Sequence, residues 1–104
     1  MSNNKTTRNL TDAELEKVAG QFRLLSEPMR LKILQAVCVE PLTVGQIVDA
    51  TGATQSNVSK HLSLLSSAGI ITREKNGQFV YYGINNPLPL KLCELVHKEL
   101  INQS

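Results

Sequence analysis

The side chains best suited to chemistry in this chain are compact polar ones that follow one another between positions 54 and 61. They supply hydroxyl, amide, ammonium and imidazole groups, from Thr54, Gln55, Ser56, Asn57, Ser59, Lys60 and His61. Val58, Leu62 and Leu65 recur among them as an apolar stripe at helical spacing. Short hydrogen-bonding groups on such a helix reach base edges and phosphates in the major groove of DNA. The pattern predicts a DNA-contacting helix, with a merely solvated helix face as the alternative.

These polar positions are expected to have different roles in contact with DNA. Gln55 and Ser59 lie on the exposed face within the first turns, so we predict that they contact base edges. Asn57 belongs to the same contact set without an assigned role. Phosphate contact is predicted for Thr54, Ser56, Lys60 and His61.

A downstream hairpin offers a second contact surface. Arg73 and Lys75 on its first strand are predicted to meet phosphate or an adjacent minor groove. Gln78 at its tip belongs to the predicted DNA contacts without an assigned role. The formal net charge of the chain is only +2. Between positions 51 and 86, however, there are three basic residues, Lys60, Arg73 and Lys75, and one acidic residue, Glu74. This local positive excess is compatible with phosphate contact. The alternative is an ordinary hairpin with incidental charge.

The helices ahead of these contact residues are marked by capping signals. Thr11 and Glu14 form a capping box before a first helix at about residues 12–25. Ser26, placed before Pro28, predicts the cap of a second, largely apolar and central helix that stops near Glu40-Pro41. Residues 1–10 are expected to be a disordered arm outside a single domain at 11–101.

The remaining elements follow from similar signals. Thr43 and Gln46 form a second capping box, and Gly52 ends this short third helix, since glycine readily adopts the left-handed conformation. The fourth helix, which we call the reading helix, starts after Thr54 and ends at Ala68-Gly69. Asn76-Gly77 then predicts a hairpin turn because both positions tolerate positive φ, and a last amphipathic helix covers about 87–101.

The composition bounds the class of protein. A chain of 104 residues with 41% hydrophobic residues makes one domain with a modest core. It has no apolar run of membrane-spanning length, and MSNNKTTRN lacks the apolar core of a secretory signal, so we expect a cytoplasmic protein without membrane contact. Two distant cysteines exclude a disulfide-stapled scaffold and a zinc ribbon. The sequence contains neither a glycine-rich phosphate loop nor a nucleophile with a recognisable base, so we do not expect an enzyme.

The order of elements and the residues from Leu25 to Ile84 resemble the ArsR/SmtB family of winged-helix bacterial repressors. The matching segments are LSEPMRLKIL in the second helix, LTVGQI in the third, QSNVSKHLSLLSSAGII in the reading helix and REKNGQFVYYGI in the hairpin, which we call the wing. The likeness covers about 90 residues, nearly the whole folded part. The string SNVSKHLSLLSSAGI fits a family pattern that is specific for so short a motif.

The resemblance implies a mainly α winged helix-turn-helix fold, in the order α1-α2-α3-α4-β1-β2-α5, and a homodimer that represses transcription from a pseudo-palindromic operator. It implies that the terminal helices, at 12–25 and 87–101, form the subunit interface. Their apolar faces have no other obvious partner in so small a domain, and a twofold dimer places two reading helices at the helical repeat of DNA. The alternative function is a winged-helix protein-interaction module without DNA binding.

The resemblance also raises the question of an inducer. Metal-sensing relatives often carry ligands in the third or last helix. Cys93 and His97 lie four positions apart, and two such ligands from each subunit would suit zinc or a similar soft cation. A thiol switch between Cys38 and Cys93, like that of redox-responsive relatives, is a second possibility. The alternatives are that Cys93 is a core or interface residue with His97 at the rim, and that the protein responds to no inducer.

Overall fold

The computed structural model describes residues 9–103 and has the predicted order of elements within them. The helices and strands are α1 (Asp12–Leu25), α2 (Pro28–Val37), α3 (Val44–Thr51), α4 (Gln55–Ser67), β1 (Ile71–Asn76), β2 (Phe79–Ile84) and α5 (Leu88–Asn102). The predicted fold, mainly helical with one antiparallel hairpin, is confirmed. Most of the predicted arm, residues 1–8, lies outside the described part of the chain.

Two capping boxes fix the starts of α1 and α3. The Glu14 N–H donates to Thr11 Oγ1 at 3.1 Å, and the Thr11 N–H donates back to Glu14 Oε1 at 2.8 Å. Thr43 and Gln46 repeat the arrangement at 3.2 and 2.9 Å. Each box satisfies backbone donors that a helix start would leave unpaired, which explains why these signals were readable from the sequence.

The predicted role of Ser26 is wrong. Its hydroxyl donates to the carbonyl of Arg23 at 2.7 Å and therefore ends α1, whereas Glu27 precedes α2 without a side-chain cap. Pro28 starts α2 without help because its missing N–H would be unpaired there in any case. The helix ends at Val37, a turn earlier than expected, and Cys38 is its C-cap.

The core lies where α2, α3 and α4 meet the start of the hairpin. Its fully or nearly fully buried residues are Ile33, Leu34, Val37, Ile47, Val58, Leu62, Leu65, Ile70 and Ile71. Three of them come from α2 and three from α4, so the predicted central position of α2 is confirmed, and the apolar stripe of the reading helix is in the core. By contrast, no residue of α1 is buried, and Pro89 alone is buried in α5.

The hairpin turn lies one residue later than the sequence suggested. Asn76 pairs with Phe79, so the loop residues are Gly77 and Gln78, and Gly77 has φ of 69°. Asn76 remains in the strand and does not adopt positive φ. A glycine with positive φ at the first loop position is the arrangement of a type II′ turn, which matches the twist of paired strands.

The base of the hairpin is fastened to the segment before α3. Leu42 and Tyr82 exchange two backbone hydrogen bonds of 2.9 and 2.8 Å. Next to them, a Cβ atom at Gly83 would lie 3.2 Å from Thr72 Oγ1 and 3.3 Å from Pro41 Cγ, so the close packing of these two side chains favours glycine. This bridge holds the wing against the helix-turn-helix unit.

Within residues 9–103, no helix is long and apolar enough to span a bilayer.

Candidate nucleic-acid interface

The reading helix α4 is held by its apolar stripe and exposes the opposite side. Val58, Leu62 and Leu65 are buried against the core, and this orientation fixes which residues of the helix face solvent. The exposed predicted contact residues are Thr54, Gln55, Ser56, Asn57 and Lys60. The first two turns of α4 therefore expose most of their polar side chains, but not Ser59, which was expected on the exposed face and is half-buried.

A tight turn positions the start of this helix relative to α3. Gly52 has φ of 74°, and its N–H donates to the carbonyl of Val48 at 2.8 Å, which closes α3. Two residues later Thr54 caps α4, because its Oγ1 accepts the Asn57 N–H at 3.1 Å. The Thr54 hydroxyl thus caps the helix in the absence of DNA, and its proton remains available for donation to a phosphate.

Two of the predicted contact residues are less exposed than the rest. Ser59 is half-buried, one turn after Gln55. His61 is also half-buried, and its Nδ1 accepts a hydrogen bond of 3.2 Å from Arg30 Nε on α2. This contact could not be predicted from sequence patterns, because the two residues lie 31 positions apart. His61 is therefore not simply a surface histidine.

In the wing, the three predicted contact residues are all exposed. Arg73 and Lys75 lie two positions apart on β1, opposite Tyr82 and Val80 respectively, so their side chains share one face of the hairpin. Gln78 is exposed in the loop. The basic side chains of the wing and Lys60 of the reading helix therefore all reach solvent, and they outnumber the exposed Glu74 in this part of the fold.

A small polar depression joins the reading helix to the wing. It measures about 200 Å³, and its polar lining comes from Ser63, Ser66, Ser67, Arg73 and Tyr82. Sequence reasoning did not single out these serines. The available signal was their helical spacing from Ser59, which continues the polar side of α4 towards Arg73. A guanidinium beside hydroxyl donors is chemically suited to an anionic oxygen such as that of a phosphate.

The three residues predicted for sensing share one surface groove between the end of α2 and α5. This groove measures about 660 Å³, and Cys38, Cys93, Glu94 and His97 are in its lining. Cys38 is exposed and its Sγ donates to the carbonyl of Gln35 at 3.1 Å, while Cys93 is half-buried. Within residues 9–103, no three or more histidine, cysteine or acidic side chains come together closely enough to hold a metal ion. One chain therefore does not provide a complete metal site from its described residues.

The terminal helices expose a large apolar surface. On α1, Leu15, Val18 and Phe22 are 48%, 42% and 56% exposed. On α5 the corresponding residues are Leu88, Leu95, Val96, Leu100 and Ile101. Contacts between α5 and the other elements are sparse. Apolar patches of this extent are characteristic of surfaces covered by another molecule.

Comparisons with known proteins point to one class. A family model described as "Bacterial regulatory protein, arsR family" matches residues 27–73. The cadmium resistance transcriptional regulatory protein CadC of Listeria innocua is 36% identical over 93 residues, which cover 88% of this chain and 78% of that protein. The arsenical resistance operon repressor of Bacillus subtilis is 34% identical over 91 residues, covering 82% and 87% respectively.

A solved structure gives the same result for the fold. It is the homodimeric winged helix-turn-helix DNA-binding domain of a possible ArsR-family transcriptional regulator from Mycobacterium bovis. That domain is 28% identical, the match covers 88% of each chain, and the TM-score is 0.73. The proteins that are similar to this chain in sequence and in structure are thus described as transcriptional regulators.

Proposed function

Because this chain belongs to the ArsR family of bacterial regulatory proteins and is a DNA-binding transcriptional repressor, we propose that it binds a pseudo-palindromic operator as a homodimer. In this proposal α4 enters the major groove, Gln55 and Ser59 contact base edges, and Arg73, Lys75 and Gln78 of the wing meet the flanking backbone. The remaining polar residues of α4 contact phosphate.

The observation that carries the proposal is the division of α4 into two sides. One side is buried as Val58, Leu62 and Leu65, and the other exposes polar side chains to solvent, from Gln55 to Asn57 and at Lys60. A helix held in this way by a rigid core presents its first turns to a groove with little freedom to move. Such preorganisation favours specific contact over loose electrostatic attraction.

The homodimer is supported by the apolar surface of α1 and α5. Phe22, Leu25, Leu31, Leu92 and Val96 line a cleft of about 430 Å³ between these helices, and its walls are almost entirely apolar. Covering this surface with the same surface of a second copy would form a twofold, self-complementary interface. The M. bovis domain of similar fold is a homodimer.

The test of the proposed function is binding to duplex DNA as salt is raised. A duplex is first selected from a random-sequence library with the purified protein, and its affinity is then measured by fluorescence anisotropy. If Lys60, Arg73 and Lys75 of both subunits contact phosphate, the logarithm of the affinity should fall against the logarithm of salt with a slope of about −5. Failure to enrich any duplex would favour the alternative function, a protein-interaction module.

The relatives are transcriptional regulators, which is a non-enzymatic role. The inducer of this chain stays a prediction, and two kinds of inducer chemistry are considered: metal binding and thiol oxidation. Cys93 and His97 of both subunits would form a soft-metal site across the dimer, whereas Cys38 and Cys93 would respond to oxidation within one subunit. Native mass spectrometry of the reduced and oxidised protein, with and without zinc, separates them by bound metal and by cysteine linkage.

A further inference from the structure

The side chain of Arg30 on α2 joins three helices. Its Nε donates to His61 Nδ1 on α4 at 3.2 Å. One of its terminal nitrogens donates to the backbone carbonyls of Arg23 and Leu24, at 3.3 Å each, at the end of α1. Arg30 is half-buried, and so are His61 and Leu24. The guanidinium therefore lies at the junction of the first helix, the central helix and the reading helix.

The end of α1 is a favourable place for this charge. The last carbonyls of a helix have no partner within it and carry partial negative charge, so a cation that bonds to them is stabilised there. Because the guanidinium is planar and rigid, the carbonyl bonds also fix the direction of its Nε–H. The donor that reaches His61 is thus oriented by the end of another helix.

The contact also determines where the imidazole of His61 carries its proton. Nδ1 accepts from Arg30, so in the neutral ring the proton is on Nε2, which becomes a donor. Nε2 has no protein partner within residues 9–103. Among the described residues, the buried side-chain nitrogen or oxygen that lacks a hydrogen-bond partner is Gln21 Oε1. His61 Nε2 also lacks a protein partner but does not belong to that buried class, so it is accessible to solvent. His61 consequently offers one oriented donor beside the exposed Lys60.

We propose that Arg30 is a positioning residue for DNA recognition, acting through His61. It holds the reading helix against the end of α1 and keeps the Nε2–H of His61 available as a phosphate donor. The inference rests on the proposed function, since it assigns a further residue to the same DNA interface. Arg30 itself does not contact DNA. Because α1 also carries the apolar surface proposed as the subunit interface, Arg30 links the placement of α4 to the dimer.

The test compares Arg30→Gln and Arg30→Lys with the wild-type protein on two duplexes, one selected from a random library and one scrambled. Both variants should bind the selected duplex about tenfold more weakly, because lysine keeps the charge but cannot reproduce the planar set of donors. Affinity for the scrambled duplex should fall by a smaller factor, because the lost phosphate donor contributes on any sequence whereas the displaced reading helix matters only for base contacts. The salt slope should be unchanged, since the lost donor carries no charge. Lys32→Gln, which removes an exposed charge from the same helix, is the matched control.

A double-mutant cycle identifies the path. His61→Leu should weaken binding in the wild-type background but have little further effect with Arg30→Gln, because the two residues act as one unit. Independent effects would overturn the proposal. So would a salt slope reduced in Arg30→Gln, since that would make Arg30 a direct phosphate contact, or a lower melting temperature with normal affinity of the folded dimer, since that would leave Arg30 a purely structural role.

Nitrogen-15 spectra of the imidazole test the link without DNA. The chain has two histidines, so the spectrum of His61→Gln assigns the signals. At a pH where histidine is neutral, about 8.5, wild-type His61 should show a single tautomer with the proton on Nε2, and Arg30→Gln should show a mixture. A mixture in the wild-type protein would overturn the inference. If the wild-type protein binds neither duplex, the proposed function fails, and these spectra alone decide whether Arg30 orients His61.

Discussion

Single side chains of the reading helix divide into those with a structural partner and those without one. Thr54 caps the helix and His61 accepts from Arg30, so each already has a partner in the protein. Gln55 has no such bond within the described residues and is exposed, which leaves its amide for a base edge. Residue type alone could not separate these groups, because all of them are short and polar.

We predict that replacing Gln55 and Ser59 together by alanine lowers affinity for the selected duplex by about 100-fold, since base-directed hydrogen bonds are lost. Affinity for scrambled DNA should stay nearly constant, and the dimer should remain intact. Gln35→Ala on α2, also an exposed glutamine, is the control. Unchanged binding by the double variant, measured by anisotropy, would move base recognition away from this side of α4.

The basic residues of the wing should behave differently from the base-contacting pair. Arg73→Gln or Lys75→Gln removes two phosphate contacts per dimer, so we expect the salt slope to become shallower by about 2 for each substitution. Selected and scrambled duplexes should lose affinity equally. Lys98→Gln, an exposed charge on α5, should leave the slope unchanged. A sequence-dependent loss would mean that the wing reads bases.

At the scale of elements, local signals were informative at the helix starts, whereas the local signal at Asn76-Gly77 placed the hairpin turn one residue too early. The boxes Thr11–Glu14 and Thr43–Gln46 act over three residues, and both formed as predicted. The failures involve partners distant in the chain or competing local roles. Ser26 lies between the end of α1 and the start of α2, and its hydroxyl bonds to the end of α1. The bridge between Leu42 and Tyr82 forms only once the hairpin has folded.

The candidate interface shows the same division. The polar residues of α4 and of the wing were readable from their types and spacing, and the structure places most of them on the surface. Two features required coordinates: the contact between Arg30 and His61, and the depression that brings Ser63 and Ser66 to Arg73. Both depend on how α4 packs against other elements, which helical periodicity does not specify.

The start of the reading helix should depend on its cap. Thr54→Ala removes the acceptor for the Asn57 N–H, and we expect the free energy of unfolding to fall by about 1 kcal/mol. Thr54→Ser keeps the oxygen and should remain close to the wild-type protein. Thermal unfolding at fixed protein concentration measures both variants. Equal loss in the two would indicate that the threonine methyl group, rather than the hydroxyl, stabilises this end.

At the scale of the whole molecule, the exposed apolar faces of α1 and α5 form the proposed subunit interface. Phe22→Glu and Val96→Glu place charges on side chains that are 56% and 54% exposed in one chain. We predict that both variants sediment as monomers and bind the selected duplex at least 100-fold more weakly, because one reading helix makes half of the contacts. Val39→Glu is the control, since Val39 is 87% exposed and lies outside both helices. Dimers of either α1 or α5 variant would place the subunit interface elsewhere.

Hydroxyl-radical footprinting of the wild-type protein on its selected duplex tests the twofold arrangement most directly. Two reading helices related by a twofold axis should protect two segments on one face of the duplex, centred about 10 base pairs apart. The protected segments should be related by the symmetry of the sequence beneath them. A single protected segment, or uniform protection without a repeat, would contradict a dimer that presents two copies of α4 to adjacent grooves.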